Sequence, residues 1–105
     1  MIARTWTGRV RTADAAEYAG YIRETGFAEY GETPGNRGAW LMHRDVVEGV
    51  ELVALTLWES RDAIRAFGGA DITRARVEPE AQTLFIRFDE TVSLYELDLR
   101  IDRPA

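Results

Sequence analysis

The sequence predicts an α+β domain in which two helices cover one face of an antiparallel sheet. Three observations predict this class. Segments typical of strands and of helices follow one another in the order β-α-β-β-α-β. A cluster of turn residues at 33–38 reverses the chain, and a strand that ends in Trp58 leads straight into a Ser helix cap. At 105 residues the chain has the size of one domain, which we place at 1–100, with a loose tail at 101–105.

The first strand is predicted from Ile2 to Val10, where β-branched and aromatic residues alternate. Gly8 inside it indicates either a bulge or a close approach of another group. A helix follows, with Thr12 as its N-cap and Gly26 as its stop signal. In the turn cluster Thr33–Gly38, Pro34 holds the preceding residue out of the helical region.

The second strand is predicted from Gly38 to Arg44 and the third from Val50 to Trp58. The third is apolar on both faces, as expected of a strand that is covered on both sides. Ser60 caps the second helix, which runs through Phe67.

After Gly68-Gly69, Asp71 is predicted to cap one further helical turn through Arg76. Leu84–Phe88 is compatible with either a helical turn or an extended segment. Thr91–Arg100 alternates as a last strand does. The complete order is the βαββαβ pattern of ferredoxin-like domains.

Two helices cover only one face of such a sheet, although the third strand is apolar on both. We therefore predict a homodimer formed through the uncovered sheet face. The competing interpretation is that the segment Glu78–Asp89 folds back across that face within one chain.

Composition excludes several classes of function. A formal net charge of −5 disfavours nucleic acid and anionic membrane surfaces as partners. The absence of Cys excludes disulfides, Cys-ligated zinc and thiol nucleophiles. The N-terminus lacks the apolar core of a signal peptide, and no stretch is long enough for a membrane helix. These features predict a cytoplasmic protein.

Two short segments carry a family resemblance. Pro34-Gly35 before the second strand and Leu57-Trp58-Glu59-Ser60 before the second helix are similar to the antibiotic biosynthesis monooxygenase family of the dimeric α/β-barrel superfamily. The resemblance implies a ferredoxin-like dimer with a cleft between sheet and helices. It also implies oxidation of aromatic phenols by molecular oxygen without metal or flavin.

The resemblance assigns catalytic roles to two positions. Trp58 matches a pocket Trp whose indole N–H donates toward substrate, with a core-filling Trp as the alternative. Arg74 or Arg76 stands in for an Arg that follows the second helix, with a solvated helix-face charge as the alternative. Two positions depart from the family pattern: Ala54 replaces an Asn four residues before the Trp, and Ile64 replaces a Tyr six residues after it.

Haem-degrading relatives in the same superfamily place an axial His at a position that is Val77 here, so we do not expect haem degradation. The only His is His43, which would serve as a base if it faced the cleft and otherwise lies at the dimer face or in solvent. A single His also leaves no multi-His metal site.

The remaining candidates are substrate-binding residues. Trp6 and Trp40 on neighbouring segments would form a flat aromatic slot with Trp58 or would fill core. Arg4 shares the strand face of Trp6 and suits an anionic or phenolic ligand, unless it is simply an exposed edge residue. The predicted substrate contacts are Arg4, Trp6, Tyr18, Trp40, Ile64 and Phe67.

The predicted function is therefore monooxygenase-like chemistry on a small aromatic or phenolic substrate, with no cofactor. In that interpretation Trp58 orients the substrate, and His43 or an Arg assists proton removal. The alternative, favoured by Ala54 and Ile64, is a ligand-binding or stress-associated dimer without catalysis.

Overall fold

The computed structural model describes residues 1–104. They form one antiparallel sheet with helices on one side, and the predicted α+β class is confirmed. The strands are β1 Ile2–Val10, β2 Asn36–Val46, β3 Gly49–Trp58, β4 Phe85–Phe88 and β5 Ser93–Glu96; the helices are α1 Ala15–Glu24, α2 Gly26–Glu32, α3 Arg61–Gly68 and α4 Pro79–Gln82.

Strand β1 lies at the centre of the sheet. On one edge it pairs with β3 along its whole length, from Ile2 opposite Trp58 to Val10 opposite Val50, and β2 pairs beyond β3. On the other edge β5 pairs with one end of β1 and β4 with the other. A Cβ at Gly8 would come within 2.8 Å of the Trp6 and Phe85 rings, so this glycine marks a close approach.

The first helical region is divided. Thr12 opens a 3₁₀ turn and makes no side-chain cap, so its prediction as the N-cap is wrong. The helix breaks at Thr25, next to the predicted stop at Gly26, and α2 begins there. The break lets α2 carry Tyr30 against Trp58, with ring centroids 5.9 Å apart.

The start of α3 follows the sequence prediction. The Ser60 hydroxyl accepts a hydrogen bond from the Ala63 amide at 3.1 Å, so the predicted cap is confirmed. Gly35 has φ +87°, and a Cβ there would lie 2.5 Å from that of Ala63. The turn before β2 therefore needs glycine where α3 packs on it.

The predicted helical turn after Asp71 is wrong. The Asp71 carboxylate instead accepts from the amide and hydroxyl of Thr73 at 3.1 and 2.7 Å. Residues 73–75 then bond to residues 90–92, through Val92 N to Thr73 O at 2.7 Å and Ala75 N to Glu90 O at 2.9 Å. Because 90–92 bond to this segment, the fourth strand position is divided between β4 and β5. The predicted last strand, Thr91–Arg100, is correspondingly short.

The two faces of the sheet differ in cover. Ala81 of α4 packs with Val10 and Tyr18 on the helix side, so the interpretation in which Glu78–Asp89 crosses the other face is wrong. That other face, here the open face, exposes 46% of Trp40 and of Met42 and 57% of Tyr95.

Residues 101–104 of the predicted tail are exposed and lack regular secondary structure, and Ala105 lies outside the described residues. Within 1–104 no helix has the length and apolar character that crossing a bilayer requires.

Candidate functional site

A cleft of about 300 Å³ opens between the helix side of the sheet and the helices. This volume lies at the lower end of the range of small-molecule sites. Its floor comes from β1 and β3, its walls from α1 and α2, and its rim from α3 and residues 75–81.

The floor follows from strand register. Trp6 lies opposite Ala54, and Arg4 lies opposite Thr56, so all four project to the helix side and line the cleft. The methyl side chain of Ala54 leaves room beside the Trp6 ring. This is the position at which the family pattern has Asn, so the cleft offers no side-chain hydrogen bond there.

Arg4 is the charged group at the inner end. It is only 7% exposed. Its guanidinium donates to the carbonyl oxygens of Ile72 (Nε, 3.4 Å) and Arg74 (Nη2, 2.9 Å). Within residues 1–104 Nη1 donates to no protein atom, and Arg4 forms no ion pair with a carboxylate. Burial lowers the pKa of Arg4, because desolvation disfavours its charged form.

Two phenols belong to the cleft, and one of them, Tyr30, is close enough to Arg4 to interact with it electrostatically. Tyr18 is 5% exposed and Tyr30 is half-buried, and both line the cleft. Burial raises the pKa of Tyr18, helped by its neighbours Tyr30 and Tyr21. Burial also raises the pKa of Tyr30 and outweighs the opposing effect of Arg4 and Arg76. Neither hydroxyl has a hydrogen-bond partner in the described chain. At neutral pH both are therefore donors and not bases.

Trp6 presents its ring to the cleft with its polar edge already engaged. The indole N–H donates to the Asp89 carbonyl at 2.7 Å. The ring meets Phe85 edge to face at 5.5 Å between centroids. The Trp6 face is therefore held rigidly as an apolar surface for a flat ligand.

Trp58 lies behind the cleft wall. It is fully buried and does not line the cleft. Its indole N–H donates to the Thr56 hydroxyl at 2.8 Å, so that N–H is not directed at the cleft as the resemblance implied. Thr56 does line the cleft, and its nearest acceptor, the Arg4 carbonyl, is 3.5 Å away. That distance is long for an O–H donor, so this bond is weak, and a closer acceptor on a ligand would replace it.

Ile64 is fully buried in the cluster that holds Trp58, Ile2 and Ile72. It therefore supports the wall and does not reach the cleft. Phe67 does reach the cleft, and its ring lies 4.7 Å from that of Tyr30 and 5.6 Å from that of Trp58. It connects the closed cluster to the open space.

Arg76 sits at the rim. It pairs with Glu29 at 3.2 Å and Glu78 at 3.1 Å, and its guanidinium lies 5.2 Å from the centre of the Phe67 ring. Burial alone would lower the pKa of Arg76, but the two carboxylates outweigh it and raise that pKa. Arg76 is thus a neutralised charge at the mouth. Arg74, the other candidate, is exposed and does not line the cleft.

Two predicted contacts lie elsewhere, and their placement in the cleft is corrected. Trp40 pairs with Leu55 and points to the open face, because its strand parity is opposite to that of Leu41. The three tryptophans therefore do not form one slot. His43 is on the helix side but exposed, and it lines a second depression beside α1 and β2 instead of the cleft.

Sequence reasoning missed Tyr30 and Thr56. The signal for Tyr30 was its spacing of three from Phe27, which places both on one face of a helix; the rings meet at 5.5 Å. The signal for Thr56 was its parity with Trp58 on β3. In residues 1–104 no three His, Asp or Glu side chains converge to hold a metal ion.

Several solved structures share this fold, and two examples show the extent of the similarity. One is a protein from Bacillus cereus described as a candidate antibiotic biosynthesis monooxygenase, with TM-score 0.62 and 18% identity over 97% of each chain. The other is a monooxygenase from the actVA-Orf6 gene of Streptomyces coelicolor in complex with nanaomycin D, with TM-score 0.62 and 17% identity over 98% of this chain and 92% of that one.

These similarities confirm, at the level of fold, the resemblance to antibiotic biosynthesis monooxygenases, and with it the ferredoxin-like class. No family model and no curated protein matches the chain. The fold and cleft therefore define a ferredoxin-like α+β protein with an aromatic-walled cleft between sheet and helices.

Proposed function

We propose that this chain is a monooxygenase-like protein that acts on a small aromatic or phenolic substrate in the cleft, without a cofactor. The observation that carries the proposal is an open, aromatic-walled cleft lined by the buried Arg4 and by Tyr18 and Tyr30, whose hydroxyls have no partner in the described residues. The similar structure that holds nanaomycin D adds support.

The proposed chemistry needs no bound redox group. An electron-rich ring that loses a proton can itself reduce molecular oxygen. A ring methylene plus O₂ then gives a ring carbonyl plus water, so one oxygen atom enters the product, the other leaves as water, and the substrate supplies the electrons. The protein must hold the flat ring and stabilise its oxyanion with aimed donors.

The cleft residues suit both requirements, holding the ring and stabilising the oxyanion. Trp6 and Phe67 offer apolar ring surfaces. Tyr18 and Tyr30 offer hydroxyl donors, and Thr56, held by the Trp58 N–H, offers another. Trp58 then acts as a positioning residue. His43 lies outside the cleft, so the titratable acceptors near the opening are the rim carboxylates of Glu29, Glu78 and Glu80.

Part of the proposal is a homodimer formed by the open faces of two copies, each copy using residues 1–100 as one domain. This face exposes several large apolar side chains, among them Trp40, Met42 and Tyr95, and exposed apolar patches mark interaction surfaces. Charged residues Arg9, Arg44, Glu51 and Arg87 lie together at one end of this face. An apolar centre beside a polar margin is the composition of a protein interface.

The second candidate function is ligand binding without catalysis, in a binding or stress-associated dimer. Ala54 and Ile64 in place of the family's polar residues favour it, as does the Trp58 N–H already bonded to Thr56. The two functions share the cleft and differ only in turnover.

Oxygen consumption by purified protein against a panel of anthrones and hydroquinones tests catalysis. The proposal expects uptake above the spontaneous rate that falls several-fold in Trp6→Phe. Tyr95→Phe, an aromatic change on the open face, is the matched control and should keep the rate. No uptake with any substrate, together with binding of the same compounds, would favour the second function.

Sedimentation analysis tests the dimer. Trp40→Glu introduces a charge into the apolar part of the open face and should give monomers. Val47→Glu adds the same charge at a fully exposed hairpin residue and should leave the dimer intact. A wild-type monomer at all concentrations would overturn this part of the proposal.

A further inference from the structure

We infer that the cleft binds its aromatic ligand as a monoanion, with one negatively charged oxygen held by Arg4 at the inner end and the uncharged part toward the mouth. This inference rests on the proposed function in one respect, that the cleft is a ligand site. It adds the ionisation state, the orientation and a limit on the total charge.

Arg4 is a buried cation without a counter-charge. It is 93% removed from solvent, and only backbone carbonyls of Ile72 and Arg74 accept from it in the described chain. A buried unpaired charge is costly, and the lowered pKa of Arg4 reports the same cost. An anion in the cleft would offset this cost by pairing with the guanidinium, so the cleft favours an anionic occupant.

Further donors line the same cleft, and Tyr30 is the one that interacts electrostatically with Arg4. The hydroxyls of Tyr18 and Tyr30 have no acceptor within residues 1–104, and the Thr56 hydroxyl, on the residue opposite Arg4, donates only a long bond of 3.5 Å to the Arg4 carbonyl. An oxygen that carries negative charge accepts several hydrogen bonds at once, and charge-assisted bonds are the stronger ones. A neutral ether or ketone would leave most of these donors weakly satisfied.

The mouth has the opposite charge. Glu29, Glu78 and Glu80 are exposed carboxylates that line it, and Arg76 is the guanidinium that pairs with two of them. A second negative charge on the ligand would have to lie among these carboxylates. The cleft therefore selects one anionic group and disfavours two.

Either an ionised phenol or a carboxylate supplies the required oxygen, and matched ligands separate the two. Titration calorimetry on the wild-type protein at neutral pH would compare 2-naphthoate with its neutral amide and with a naphthalene dicarboxylate. We expect the monoanion to bind at least about tenfold more tightly than the amide or the dicarboxylate. For the phenol, 2-naphthol should ionise at lower pH when bound than when free, as its absorbance reports, whereas 2-methoxynaphthalene should bind weakly.

Substitution of Arg4 makes the test specific. Arg4→Gln should lower the affinity for the preferred anion about tenfold or more and that for the neutral amide less than about twofold. Arg4→Lys should retain part of the preference. Arg23→Gln removes an exposed positive charge on α1, outside the cleft, and should change neither affinity. If Arg4→Gln does not fold, the ligand pairs measured on the wild-type protein and on Tyr30→Phe still test the inference. Tyr30→Phe removes one donor and should lower the affinity for the anion more than that for the neutral amide.

The outcomes distinguish this inference from the proposed function. Equal affinity for anion and neutral partner would overturn the inference while leaving oxygen uptake as evidence for catalysis. A clear anion preference without oxygen uptake would support the inference and favour ligand binding without catalysis. Preference for the dicarboxylate would overturn the charge limit, and failure of every naphthalene probe to bind would overturn the inference itself.

Discussion

Two tryptophans on the helix side of the sheet occupy regions with opposite properties. Trp58, at the end of β3, is fully buried with Ile2, Ile64 and Ile72, and its N–H bonds to a neighbouring side chain. Trp6, near the middle of β1, is part-buried beside an open cleft, and its N–H bonds to a distant backbone carbonyl. The first region is a packed wall, and the second is a cavity bounded by that wall.

The comparison teaches that the residue with the clearest sequence signal is not the one that faces the ligand space. Trp58 stands at a strand-to-helix corner, where packing by α3 surrounds it. Trp6 lies opposite Ala54, where a small side chain leaves volume unfilled. The same residue type therefore supports the fold in one place and offers a binding surface in the other.

Removal of each ring should give the largest difference between the two regions. Trp58→Ala should lower the free energy of unfolding by about 3–5 kcal/mol, because it leaves a cavity in a closed cluster. Trp6→Ala should cost only about 1–2 kcal/mol, since part of its ring already faces open space. Urea unfolding measures both, and equal losses would contradict the distinction.

Alkaline titration addresses the cleft itself. Tyr18 has a raised pKa in the folded chain, so the unfolded chain loses this proton first as the pH rises. Its contribution to stability is therefore complete below the ordinary tyrosine pKa of about 10 and is lost above it. Above that pH the free energy of unfolding falls as the pH rises, and Tyr18→Phe should make this fall less steep by up to about 1.4 kcal/mol per pH unit. Parallel curves for the two proteins would show that Tyr18 is not desolvated.

A smaller effect on the free energy of unfolding is expected at the start of α3, which leads into the cluster around Trp58. Ser60→Ala removes the hydroxyl that caps α3, and it should lower the free energy of unfolding by about 1 kcal/mol. Ser93→Ala, at an exposed position on β5, is the matched control and should change little. A loss of equal size in both variants would place the effect outside the cap.

The smallest effect is expected at the rim of the cleft. Arg76→Gln breaks exposed ion pairs with Glu29 and Glu78, which contribute less than about 1 kcal/mol to stability. Thermal unfolding at low and high salt measures the contribution, which salt should reduce further. A loss comparable to that of Trp58→Ala would mean that the rim holds the wall together.

Local sequence signals were sufficient for most of the fold. Alternation placed β1 to the residue, and Ser60 marked the start of α3, because both depend on neighbouring residues only. The divided last strand could not be predicted in this way. It depends on bonds between residues 73–75 and 90–92, which are remote in sequence.

The candidate site was predicted in part. Strand parity brought Arg4 and Trp6 to one face, and both line the cleft with Tyr18, Phe67 and Arg76. Trp40 was expected in the cleft because its segment neighbours that of Trp6, and His43 was expected to act as a base only if it faced the cleft. The register of β2 places Trp40 on the open face, and His43 lines a different depression. Tyr30 was missed because its approach to Arg4 depends on the break at Thr25, a change of helix direction without a strong local signal.

Periodicity and capping are local properties, so they were enough to predict the α+β class, the first three strands and the capped helix after Trp58. The sequence also restricted the chemistry, through the absence of Cys and the presence of one His. Long-range packing in the folded chain decides which aromatic rings enclose space and which fill it. That decision depends on how side chains remote in sequence meet across the sheet, as where Ala54 opposite Trp6 leaves the volume that Arg4 and Tyr30 then enclose.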